Sequence, residues 1–135
     1  MRGSRVDYRI LSVYDLSPEK LGVFDVVYCG SLLLHLHNPL QALINIHSVT
    51  RQMAVIETAT LPELDECNPG LDTVHFGNIS PEIRPGEHVT YWLIGPKALC
   101  KMLRYAGFSS VESRGVLQME QGDGFMWVTS AVAQV

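Results

Sequence analysis

Two apolar runs on either side of a helix-compatible segment constrain this chain more than anything else in it. FDVVYCG (residues 24–30) is almost wholly apolar after Asp25, as expected of a strand covered on both faces in a parallel sheet, and QMAVIET (residues 52–58) is a second apolar run. Between them, Asn38 can cap a helix and Pro39 can take its first position, since its missing N–H costs nothing there. Leu40, Leu43, Ile44, Ile46 and His47 then fall at helical spacing up to about Val49. A strand, a helix and a strand in this order predict an α/β domain.

The flanking segments extend the pattern. Residues 6–13 (VDYRILSV) alternate loosely and predict a strand, and Ser17-Pro18-Glu19 is good chemistry for starting a short helix. Residues 59–91 are rich in Pro, Gly, Asp, Glu and Asn, and predict a long loop of the kind that serves as a lid or lies disordered. Pro96 opens a helix with Leu99, Met102, Leu103 and Ala106 on one face, and Gly107 closes it. Residues 110–119 and 124–133 read as two strands joined at Gln121-Gly122-Asp123-Gly124. The expected architecture is one domain over residues 1–135: a mostly parallel sheet with covering helices and a C-terminal antiparallel hairpin.

Composition narrows the function classes. With 47% hydrophobic and 18% charged residues, a substantial core is expected rather than disorder. A net charge of −4 with no Lys/Arg run argues against binding free nucleic acid through phosphate neutralisation. Cys29, Cys67 and Cys100 are odd in number and far apart, against a disulfide framework or a Cys-based zinc site and in keeping with a cytoplasmic protein. No apolar run reaches the roughly 18–20 residues of a membrane span, and Met1-Arg2-Gly3-Ser4 lacks a signal-peptide core.

Asp15 after the first predicted strand, FDVVYCGSLLLHLHNP, a strand ending in Glu57-Thr58, and YWLIGPKALCKMLRYAGFSSVE occur in an order that resembles the C-terminal part of class I S-adenosylmethionine-dependent methyltransferases. Within them the set is most similar to the tRNA uridine (mo5U34-type) group. The resemblance implies a Rossmann-like three-layer sandwich, truncated at its N-terminus. In that family a Gly-rich turn after the first strand carries the methionine end of the cofactor, and an acid ending the second strand holds the ribose. Here the only G-x-G, Gly122-Asp123-Gly124, lies in the late hairpin. An apolar strand at residues 24–30 without its usual neighbour has a bare edge, which predicts self-association into a homo-oligomer.

The resemblance also implies site roles, each beside a structural alternative. Asp15, with Leu16, matches the position that contacts the adenine of S-adenosylmethionine; a turn or cap into Ser17-Pro18 is the alternative. Cys29, Gly30 and Ser31 match the strand end that passes the methionine portion, or form an ordinary loop. His35 matches the family's histidine after that strand, where a neutral imidazole can take a proton; a backbone-bonded structural histidine is the alternative. The tyrosine and arginine that flank it in the tRNA-modifying group are replaced here by Leu34, Leu36 and His37. Tyr91 and Trp92 match an aromatic pair facing a small-molecule or tRNA acceptor, or pack the core. His35 and His37 form an H-x-H with no third ligand at a set spacing, so no metal is expected. Arg84, Glu87 and His88 in the long loop are candidate polar contacts or solvated residues. Two functions follow: a methyltransferase-like domain inactive by itself, or a non-catalytic oligomerising or binding module of methyltransferase descent.

Overall fold

Capping chemistry places the helices where the sequence predicts them. In the computed structural model, which describes residues 6–67, 69–76, 90–121 and 124–135, Ser17 Oγ accepts from the Lys20 N–H at 3.4 Å and opens α1 (Pro18–Leu21). Asn38 Oδ1 accepts from the Gln41 N–H at 3.0 Å and opens α2 (Pro39–Ser48) behind Pro39. The helix α4 (Pro96–Tyr105) is capped from a distance. Its N-cap, Gly95, has no side chain, and Asp65 of α3 (Glu63–Cys67) accepts instead from the Lys97 N–H at 3.1 Å. A β-carbon on Gly95 would lie 2.6 Å from Asp65 Oδ1, so the glycine admits the cap.

The sheet departs from the expected one. β1 (Phe24–Gly30) runs parallel to β2 (Thr50–Thr60), from Phe24↔Thr50 to Gly30↔Glu57. The other edge of β2 is antiparallel to β6 (Gly124–Gln134), which is antiparallel to β5 (Ser110–Gln121). A short antiparallel pair, β3 (Val74–Phe76) and β4 (Trp92–Ile94), joins β2 by the single parallel partnership Thr60↔Ile94. The sheet is therefore mixed, not mostly parallel, because the long hairpin inserts next to β2. Residues 6–13 form no strand. Residues 6–12 run outside any ladder, and Val13–Asp15 is a 3-10 turn pinned to α2 by Asn45, whose amide donates to the Val13 and Tyr14 carbonyls at 3.2 and 2.8 Å. The segment expected as one long loop, residues 59–91, carries the end of β2, α3 and β3. Arg84, Glu87, His88, the Met1–Ser4 start and the Gly122-Asp123 turn lie outside the described residues.

Both longer helices pack on one face. Leu43 and Ile46 of α2 and Leu99 and Leu103 of α4 share a buried cluster with Cys29, Ala54, Ile56, Ala131 and Ala133. On the opposite face Val26 is 52% exposed and Tyr28 64%. Among the described residues there are two layers rather than three. β1 is consequently covered on one side only among the described residues, not on both faces as its apolar run predicts.

Gly107 follows the last turn of α4 at φ 116°, and a β-carbon there would sit 2.8 Å from His47 Cε1. His47 in turn meets Phe108 edge-on, with ring centroids 4.9 Å apart. Gly107→Ala is expected to cost about 1–3 kcal/mol through left-handed strain and displacement of His47. Urea unfolding measures it, and an unchanged midpoint would show that the turn relaxes freely.

Candidate functional site

The end of β1 is the most strained described backbone outside glycine. Ser31 has φ 50° while its N–H donates to the Glu57 carbonyl at 2.8 Å, so a sheet-end hydrogen bond holds it in the left-handed region. Such outliers persist where surrounding structure over-determines them, often at sites. Gly30 precedes it because Tyr28 folds over that position: a β-carbon would lie 2.5 Å from the Tyr28 hydroxyl. That hydroxyl donates to Glu57 Oε2 at 2.8 Å, and the bond to the carboxylate raises the Tyr28 pKa.

This turn separates two hollows. A groove of about 600 Å³ runs between residues 11–16 and β1, with Val13, Leu16, Val27, Cys29, Gly30 and Leu32 among its walls. On the other side a cavity of about 480 Å³ is walled by Leu61, Leu93, Phe125, Met126 and Trp127, with Ser31, His35, Thr60 and Thr90 as its polar groups. Leu16, Cys29 and Gly30 thus share the groove, whereas Ser31 and His35 face the cavity. Asp15 stands next to Leu16 on exposed surface, and Lys20 Nζ donates to its Oδ1 at 3.3 Å. Cys29 is buried, and desolvation pushes its thiol up to about 11, so it stays protonated and inert at neutral pH.

Tyr91 and Trp92 grip the turn that carries His35. The Tyr91 N–H donates to the Leu34 carbonyl at 2.8 Å, and Trp92 Nε1 donates to the Leu36 carbonyl at 2.9 Å. The Tyr91 ring meets His37 edge-on at 4.5 Å, and Trp92 meets Phe76 at 5.2 Å. Their neighbours Thr90 and Leu93 line the cavity instead. His35, His37 and His47 have different surroundings, and among the described residues no group of three His, Cys, Asp or Glu could hold a metal ion. The sequence reading missed Phe125, Trp127 and the Tyr28–Glu57 pair. Only the hairpin register, Thr60↔Trp127, brings the first two to the mouth of β2.

Comparison with known proteins fits this arrangement. The ubiquinone biosynthesis O-methyltransferase of Xanthomonas axonopodis pv. citri (strain 306) is 30% identical over 115 residues, covering 85% of this chain and 48% of the relative. The N-terminal domain of EvdMO1, solved with S-adenosylhomocysteine bound, superposes with a TM-score of 0.61 at 22% identity, over 93% of this chain and 52% of that one. The chain is thus similar in sequence to part of a methyltransferase and shares its fold with a domain solved with S-adenosylhomocysteine. The Burkholderia thailandensis 1,6-didemethyltoxoflavin-N1-methyltransferase, with its substrate and S-adenosylhomocysteine bound, shares the methyltransferase fold at a TM-score of 0.57 and 16% identity, over 92% of this chain and 48% of that one. No family model matches the chain. The methyltransferase-like chain spans about half the length of the curated relatives it matches. Among its described residues no helix is long and apolar enough to cross a membrane.

Proposed function

We propose that the chain supplies one wall of an S-adenosylmethionine site and the acceptor cavity beside it, for O-methylation of an apolar, ring-bearing hydroxyl compound. The observation that carries this reading is the β1 end itself, where Gly30 and the left-handed Ser31 divide an apolar groove from a cavity containing His35. Leu16, with Asp15 beside it at the rim, takes the adenine side of the groove; Cys29 and Gly30 take the methionine side, and Ser31 lies at the turn towards the cavity. S-adenosylmethionine, when bound, supplies a methyl group already activated by its sulfonium.

The chain's own residues orient the acceptor and move one proton. Phe125, Trp127 and Leu93 exclude water around an apolar ring, and His35 accepts the hydroxyl proton as the oxygen becomes the nucleophile. Tyr91 and Trp92 act as positioning residues by holding the His35 turn through Leu34 and Leu36. The apolar cavity and the net charge of −4 favour a ring acceptor of this kind over tRNA. That the Xanthomonas relative is named as an O-methyltransferase supports the same reaction class.

The alternative is a non-catalytic binding module. Titration calorimetry with S-adenosylhomocysteine separates the two. Saturable binding is expected; silence with ligand in the millimolar range would retire the cofactor reading and leave the second.

A further inference from the structure

Most cations of this chain are matched by an acid. Among the described residues Arg9, Lys20, Arg51, Lys101 and Arg114 each pair with a carboxylate, and Lys97 and Arg104 pair with none. Both unmatched cations stand on α4, and both line one groove of about 660 Å³ between that helix and the start of β5. Positions 97, 101 and 104 recur at helical spacing, so one exposed face of α4 carries three cations along about 10 Å of its axis. Asp72, which holds Lys101, is the one acid in the lining among the described residues. Pro96, Cys100 and Val111 give the groove apolar walls, and Ser113 adds a hydroxyl. This groove shares no lining residue with the cofactor groove or with the cavity beside it.

We propose that the α4–β5 groove docks an extended segment of a partner protein in which acidic and apolar residues alternate. Charge complementarity carries the choice: in a chain of net charge −4, a local excess of cations selects an acidic ligand. Carboxylates of the segment pair with Lys97 and Arg104, Lys101 stays with Asp72, and the apolar residues cover Pro96, Cys100 and Val111. A small anion fits less well. Lys97 and Arg104 are separated by about 10 Å along the helix, and folding both long side chains onto one ion costs the rotamer freedom of each. Carboxylates on alternate residues of an extended chain, about 7 Å apart, meet the two cations where they stand. Arg104 is already steadied by its 3.4 Å bond to the Val111 carbonyl and keeps its remaining N–H groups for the segment.

Fluorescence anisotropy of a fluorescein-labelled peptide alternating glutamate and valine tests this on ligand-free protein, apart from the cofactor reading, at about 20 mM salt, where surface charges are least screened. Saturable binding is expected. Lys97→Glu is expected to weaken it roughly fivefold, and Lys97→Glu combined with Arg104→Glu roughly tenfold or more, in keeping with exposed pairs of modest strength. The Lys97 side chain has no ion pair to lose, so the single variant is expected to keep the wild-type urea midpoint, and it decides the matter should the double variant fail to fold. Arg51→Glu makes the same change in net charge outside the groove and is expected to leave the affinity unaltered. Absence of saturable binding would overturn the proposal, as would an affinity indifferent to Lys97→Glu or an equal affinity for a peptide alternating lysine and valine. Displacement of the peptide by equimolar inorganic phosphate would make this a small-anion site and overturn it too.

Discussion

Leu99→Ala is expected to destabilise the fold by about 2–5 kcal/mol, against a total of roughly 5–15 kcal/mol for a domain of ordinary size. Leu99 is fully buried at the centre of α4 and belongs to the cluster beneath both longer helices. Its neighbours explain why the loss falls at the upper part of that range. Ala54, Ala131 and Ala133 on the strands and Ala42 and Ala98 on the helices are already minimal side chains, with none able to swing into a vacated volume. With six alanines interleaved among its larger members, this cluster has little to move inward, so a removed isobutyl group leaves most of its cavity. Urea unfolding with Leu40→Ala as a control checks it, since Leu40 on the outer side of α2 is 36% exposed and is expected to cost under about 1 kcal/mol. Equal effects at both positions would mean that the helices are not held by this cluster.

Asp15→Ala is expected to weaken S-adenosylhomocysteine binding roughly 10- to 150-fold, the loss of one hydrogen bond to a charged group worth about 1.5–3 kcal/mol. The readout is clean because the carboxylate does little for the fold. Its 3.3 Å contact with Lys20 joins two side chains that are each more than half exposed, and pairs of that kind contribute at most about 1 kcal/mol. Lys20 engages Oδ1, leaving Oδ2 to accept from a ligand. Calorimetry reports the affinity and urea unfolding reports the fold. If affinity is unchanged while the wild-type chain binds, the adenine is held elsewhere and the groove beside residues 11–16 is not its seat.

Local chemistry was legible in the sequence because its signals act within a few residues. Ser17, Asn38-Pro39 and Pro96 mark the helix starts through orphan N–H groups one turn ahead, and Gly107 marks a stop through its positive φ. The residues 24–30 and 52–58 pair in parallel as their apolar runs imply. The turn from Gly30 to His35 could be singled out by resemblance alone. Residues 6–13 misled for the same local reason: their alternation is strand-like, but a strand exists only when another edge meets it, and none within the described chain does.

What the sequence determined by itself is the starts of α1, α2 and α4 with the local caps of the first two, the β1–α2–β2 unit, and the placing of Gly30, Ser31 and His35 on one turn. Only the tertiary structure decided that β6 rather than another parallel strand lies against β2, that both longer helices share one face, and that Asp65 caps α4 from 32 residues away in the chain. The physical reason is reach. A cap or a helical stripe is satisfied by atoms a turn away, whereas strand order, the covering of a face and the partition of a cavity depend on which distant groups arrive to satisfy an edge.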